Sequence, residues 1–192
     1  MTEAPGTHNP NILPPNIPVP QDDGAARHLA GMRLPDLALP ATQGAPVNLS
    51  KLKGRTVVYI YPRTGVPGVD LPAGWNEIPG ARGCTPQSCS FRDHFAELGR
   101  LSVTHLFGLS TQDTVYQREA AARLKLPFPL LSDETLALGR ALKLPTFSAA
   151  GMTLFKRMAL IIDGGVIAKA FYPVFPPDKN AEQVIAWIQA HN

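Results

Sequence analysis

A chain of 192 residues with 44 % hydrophobic and 17 % charged side chains is globular, long enough for a full core, and not disordered as a whole. Its formal net charge is only +3 and it has no Lys/Arg run, which argues against a nucleic-acid stripe. Two cysteines, Cys84 and Cys89, are too few for a disulfide scaffold or a four-cysteine zinc site.

The opening MTEAPGTHNP has no basic or apolar leader, and the longest apolar runs, such as 159–162, are too short to span a bilayer. The expectation is a soluble cytoplasmic protein whose thiols are kept reduced, so that any disulfide is transient. Pro5, Pro10, Pro14, Pro15, Pro18 and Pro20 crowd the first stretch. Proline at that density forbids both helix and sheet ladder. Residues 1–30 therefore read as a proline-rich arm before a body over 31–192, with Ile12, Leu13, Ile17 and Val19 as candidate anchors.

In the body, 37–39 reads as a short strand, and TVVYIY at 56–61 as a central strand buried on both faces. The Gly/Pro-rich stretch 62–83 is a long loop, of the kind that usually carries function. Residues 85–98 follow as a helix with Phe91, Phe95 and Leu98 at helical spacing. After a strand at 103–109, Thr111 caps a helix to about 124, and 129–132 is a short strand. Asp133 caps a helix over 134–142. A buried strand at 158–162 turns through Asp163-Gly164-Gly165 into a strand at 166–172. Asn180 and Gln183 form a capping-box-like start for a last helix to about 190. Strands alternating with helices, then a hairpin and a final helix, predict an α/β fold with a mixed central sheet flanked by helices. Asp113, Glu119, Asp133 and Glu134 are expected to be solvated. His8, His28 and His191 show no catalytic partner, there is no Walker-type phosphate loop, and the FYPVFPP run at 171–177 is expected to pack.

Cys84 follows Gly83 at a loop-to-helix junction, where α/β folds place reactive groups. Unpaired N–H groups and the positive end of the helix dipole both favour a thiolate there. The competing reading is a small buried hydrophobe. The C-x4-C spacing is not a usual zinc pair; the nearest other ligands, His94 and His105, lie on Cys89's helix and on the next strand. Five positions along a helix put the two Cα atoms ~8–9 Å apart, whereas a disulfide needs them within about 7 Å. If the two cysteines bond, the first turns of the helix must unwind, with Gly80 and Gly83 supplying hinge freedom.

With these residues laid out, the chain resembles the peroxiredoxins, above all the peroxiredoxin Q group, also called bacterioferritin comigratory protein. The matching pieces are Pro35-Asp36 with Leu37-Ala38-Leu39, LSKLKG at 49–54, a strand ending Tyr61-Pro62, and Gly83-Cys84-Thr85 with Cys89 and Phe91-Arg92-Asp93. Gly108-Leu109-Ser110, Leu130-Leu131-Ser132-Asp133, and Arg157 six residues before Asp163 complete the series, over 34–192. The resemblance implies a thioredoxin-like fold and thiol-dependent reduction of hydrogen peroxide and organic hydroperoxides without cofactor or metal. It implies that Cys84 is the peroxidatic cysteine, that Cys89 resolves it as an intrachain disulfide, and that Arg157 stabilises the thiolate. It also implies a thioredoxin- or glutaredoxin-type reductant and a monomer, with the arm a possible dimer contact.

One departure stands out. The group has proline seven and threonine three residues before the peroxidatic cysteine; here those positions are Glu77 and Ala81. An insertion over 66–82 accounts for this, and Thr64 then supplies the peroxide hydrogen bond; Thr85 or a first-turn N–H is the alternative. Trp75, within the insertion, is either a wall of the site or packed on the body. Two other functions compete. A thiol–disulfide oxidoreductase is disfavoured because it calls for C-x-x-C. A redox sensor with weak peroxidase activity is motivated by the insertion and the displaced threonine.

Overall fold

A computed structural model describes residues 9–191; Pro5 and His8 lie outside the described residues. A small hairpin of β1 (Ala38–Leu39) and β2 (Val47–Asn48) leads into β3 (Arg55–Ile60). Helices α1 (Cys84–Asp93) and α2 (Phe95–Arg100) come next, then β4 (Val103–Ser110), α3 (Thr114–Arg123), β5 (Leu130–Ser132) and α4 (Ala137–Leu142). The hairpin β6 (Thr146–Ala149)–β7 (Met152–Phe155) precedes β8 (Met158–Asp163), β9 (Val166–Phe171) and α5 (Asn180–Ala190).

The main sheet has the order β5-β4-β3-β8-β9. β3 is central, parallel to β4 and antiparallel to β8, which explains why it is apolar on both faces. Alternate residues go to opposite faces. Val58 and Ile60 join Leu138, Leu142 and Leu29 on one side; Val57, Tyr59 and Tyr61 join Phe91, Leu98, Val184 and Ile188 on the other. This is the mixed sheet flanked by helices that the sequence predicts.

Several local expectations need correction. The helix over 85–98 breaks at His94, whose φ −97° and ψ 7° leave the helical region while its ring bonds the Ser90 carbonyl. Asp113, not Thr111, caps α3: its carboxylate accepts from Tyr116 N–H at 2.7 Å, while the Thr111 hydroxyl donates to the Thr153 carbonyl. Asp133 does not cap a helix from 134 and is not solvated. It is buried and accepts from the N–H groups of Leu138 and Gly139 at the start of α4, and burial pushes its carboxyl up. Asn180 makes no capping box; α5 has no side-chain cap and Asn180 faces inward. The β6–β7 hairpin is unforeseen, because each strand has only four residues and the apolar partners they pack on, Trp75 and Ala81, come from a distant part of the chain.

The arm lies along the body. Ile12 and Val19 are exposed and do not anchor it. Buried Pro10 does, with Leu13 beside Gly83. Asp23 clamps it further on, accepting from Lys156 at 2.7 Å and from the Tyr172 hydroxyl at 2.8 Å. The arm merges with the body before residue 30: Ala26 and Leu29 are already in the core, and Gly31 N–H donates to the Ile167 carbonyl. The 171–177 run packs, with Val174 and Pro177 buried.

Candidate active site

The site forms where the loop after β3 returns to the sheet as α1. Gly83, the residue before α1, has φ +98°, and a Cβ there would fall 2.3 Å from Pro177 Cγ and 3.0 Å from Leu13 Cδ1. Only glycine allows this close approach of arm, helix start and the 171–177 segment. Cys84 is therefore fixed as the first helical residue, buried, with its thiol donating to the Ala81 carbonyl at 3.6 Å. First-turn N–H groups lack intrahelical partners and face the sulfur's end of the helix. Pro86 removes one of them without harm, as proline does best at a helix start.

Arg157, at the β7–β8 junction, is the second component. Its Nη2 lies 3.2 Å from Cys84 Sγ and also donates to the carbonyls of Gly80 (3.1 Å), Ala81 (3.3 Å) and Arg82 (2.8 Å). One guanidinium nitrogen thus fixes the entering loop and faces the sulfur. Nη1 donates to Gln87 Oε1, and Gln87 Nε2 donates to Asn180 Oδ1 at 2.8 Å. All three side chains are buried. Sequence reasoning singled out Arg157 but missed Gln87 and misread Asn180. The available signal was Gln87's place three residues after Cys84, one turn along the same helix face.

Cys89 lies on the same helix, half-buried, and both cysteines are free thiols. Burial pushes the Cys89 thiol up, against the lowering effect of Arg92. Tyr59 braces the helix on either side of Cys89, stacking on Phe91 at 4.6 Å and donating its hydroxyl to Ser88 Oγ at 3.0 Å.

A pocket of about 20 Å³ opens on the sulfur, walled by Pro10, Arg63, Trp75, Arg82 and Thr85 among others. Thr64 is not one of its lining residues. Its hydroxyl and its N–H both reach Gln112 Oε1, at 3.2 and 3.0 Å, and it borders a neighbouring chamber. Thr85 lines the thiol pocket, and its buried hydroxyl has no hydrogen-bond partner among the described residues. Trp75 is both a wall of the pocket and packed, in a small core with Ala81, Leu154 and Phe147. Among the described residues, no group of three His, Cys, Asp or Glu side chains is arranged to hold a metal, and no helix is long and apolar enough to cross a membrane.

A family profile described as Redoxin matches residues 29–185. The chain is 28 % identical over 186 residues to "Peroxiredoxin Q, chloroplastic" of Sedum lineare, covering 96 % of this chain and 90 % of that protein. It is 30 % identical over 162 residues to the protein of the same name from Oryza sativa subsp. japonica, covering 83 % and 66 %. Among solved structures, peroxidoxin BcpB from Mycobacterium tuberculosis superposes with a TM-score of 0.68 at 24 % identity, over 85 % of this chain and 97 % of that one. The Xanthomonas campestris bacterioferritin comigratory protein, described for its alkyl peroxide reduction activity, gives 0.66 at 23 %, over 84 % and 98 %. The chain belongs to the Redoxin family. Within it the chain is a thiol-peroxidase oxidoreductase of the peroxiredoxin Q group.

Proposed function

We propose that the chain reduces hydrogen peroxide and organic hydroperoxides with Cys84 as attacking thiolate and Cys89 as resolving thiol within the same chain. The observation that carries this reading is the 3.2 Å approach of Arg157 Nη2 to Cys84 Sγ at a helix start, with Cys89 in the same helix. The Cys84 thiol gives up the proton it shares with the Ala81 carbonyl, and Arg157 stabilises the resulting sulfur charge. The sulfur attacks the terminal oxygen of ROOH, the O–O bond breaks, and the leaving RO⁻ takes a proton as ROH. Cys84 becomes a sulfenic acid. Thr85, not Thr64, has the hydroxyl available to donate to the peroxide. Cys89 then attacks the sulfenic sulfur, releasing water and forming the disulfide. Since ~8–9 Å between helical Cα atoms exceeds the disulfide limit of about 7 Å, α1 opens for this step. A thioredoxin- or glutaredoxin-type dithiol supplies the two electrons that restore both thiols, in a reducing cytoplasm and on a monomeric enzyme.

The test is peroxide consumption with a thioredoxin-type reductant. A wild-type rate far above that of Cys84→Ser is expected; equal rates would overturn the reading. One observation favours the redox-sensor alternative: the thiol sits in a very small pocket under Pro10 and Trp75. Stopped-flow oxidation at low peroxide separates the two, since a sensor of this kind oxidises slowly and a peroxidase fast.

A further inference from the structure

The pocket on Cys84 has a volume of about 20 Å³. On that measure a single water needs roughly 10–15 Å³. The pocket therefore admits the peroxide group itself and little more, so any organic substituent must extend beyond it. One wall adjoins a second cavity of about 240 Å³, and the two cavities share Arg63, Gly65, Leu71 and Trp75. The larger chamber is walled mainly by apolar residues, Val66, Val69, Leu71 and Trp75 of the inserted segment with Tyr116 and Ala150, and the charged residues Arg63 and Asp70 also line it. Arg63 stands at the junction, its guanidinium 4.4 Å above the Tyr116 ring. A hydrophobic cavity of about 150 Å³ is enough for a benzene ring.

We propose that the inserted segment builds a subsite for the apolar substituent of an organic hydroperoxide, of the size of an aryl ring with a short alkyl branch. The inference rests on the peroxidase reading. The peroxide group enters the pocket on Cys84, the substituent lies in the chamber against Val66, Val69, Trp75 and Tyr116, and Arg63 marks the boundary between polar head and apolar tail. Oxygen transfer to sulfur leaves the corresponding alcohol in the chamber.

Val69 and Ala150 test this, since both line the chamber and neither lines the pocket on the thiol. Both are exposed, and Ala150 has φ +48°, a conformation that aspartate tolerates well. The full chain is assayed for kcat/KM with cumene hydroperoxide and with hydrogen peroxide, as wild type, Val69→Asp, Ala150→Asp and the conservative Val69→Leu. A further carboxylate placed among the apolar walls is expected to lower the cumene hydroperoxide value about tenfold. Hydrogen peroxide, which has no substituent, should change less than about twofold, and Val69→Leu should behave as wild type. Parallel changes with both peroxides, no change with either, or a wild type that reduces only hydrogen peroxide would each overturn the subsite while the peroxidase reading stood. A wild type no faster than Cys84→Ser with hydrogen peroxide would remove the peroxidase reading and the subsite together.

Discussion

Arg157 faces the Cys84 sulfur with its other terminal nitrogen held by Gln87, which is bonded in turn to Asn180, so in the proposed reaction the placement of the charge on the sulfur depends on both. Arg157→Ala should reduce the rate of Cys84 oxidation about 10²-fold, as loss of a preorganised donor to a developing charge does elsewhere. Gln87→Ala should cost ~1–3 kcal/mol of stability, because it leaves buried groups of Arg157 and Asn180 unpaired; urea unfolding reads the first-order effect. Cys89 gives a pH dependence of definite sign. Burial raises its folded titration above that of an unfolded cysteine, so the folded state holds its proton more tightly. Stability is full below the unfolded thiol range and falls as pH rises toward the folded one. Thermal unfolding at pH 8 to 10 should show this slope, shallower in Cys89→Ser. An unchanged slope would assign the effect to other groups.

Helix α1 is the element on which the chemistry turns. Its start is set by a glycine that no side chain can replace, and its middle is clamped by Tyr59 through Phe91 and Ser88. Gly83→Ala should therefore weaken the helix start and slow oxidation, through both its φ and the collision with Pro177. Oxidation should raise hydrogen exchange over residues 81–93 and lower helix content; full protection in the oxidised protein would contradict the unwinding step. The helix start and both cysteines were legible in the sequence because Gly83-Cys84 and the Phe91 spacing are local signals. Gln87 was not, because its role depends on Arg157 and Asn180, brought together from distant parts of the chain. Asp133 and Asn180 were misread for a related reason. Each has the residue type of a helix start, but burial decides what it bonds.

At the scale of the molecule, the central sheet was legible from apolar runs, since β3 and β8 are buried on both faces. The β6–β7 hairpin and the fold of the 66–82 segment were not, because they pack on one another. Trp75 packs against Phe147, with ring centroids 6.1 Å apart, in a core that neither segment forms alone. The arm is the other piece that only the fold explains. It is tied down by Asp23, whose pairing with Lys156 and Tyr172 holds its carboxyl well below the usual carboxylate range, and Pro10 then reaches the thiol pocket. Asp23→Asn should loosen this cover. Cys84 should then react faster with a bulky alkylating reagent, and the arm should be cleaved sooner in limited proteolysis. Unchanged rates in both would show that the clamp does not govern access.

The central claim is that peroxide joins Cys84 to Cys89 within one chain. Non-reducing mass spectrometry after one equivalent of peroxide tests it most directly. The account predicts a monomer lighter by two hydrogens, with a peptide linking Cys84 and Cys89, and stable oxygen adducts on Cys84 in Cys89→Ser. A disulfide between two chains, or an oxidised Cys84 beside an unreacted Cys89 in the wild type, would contradict it.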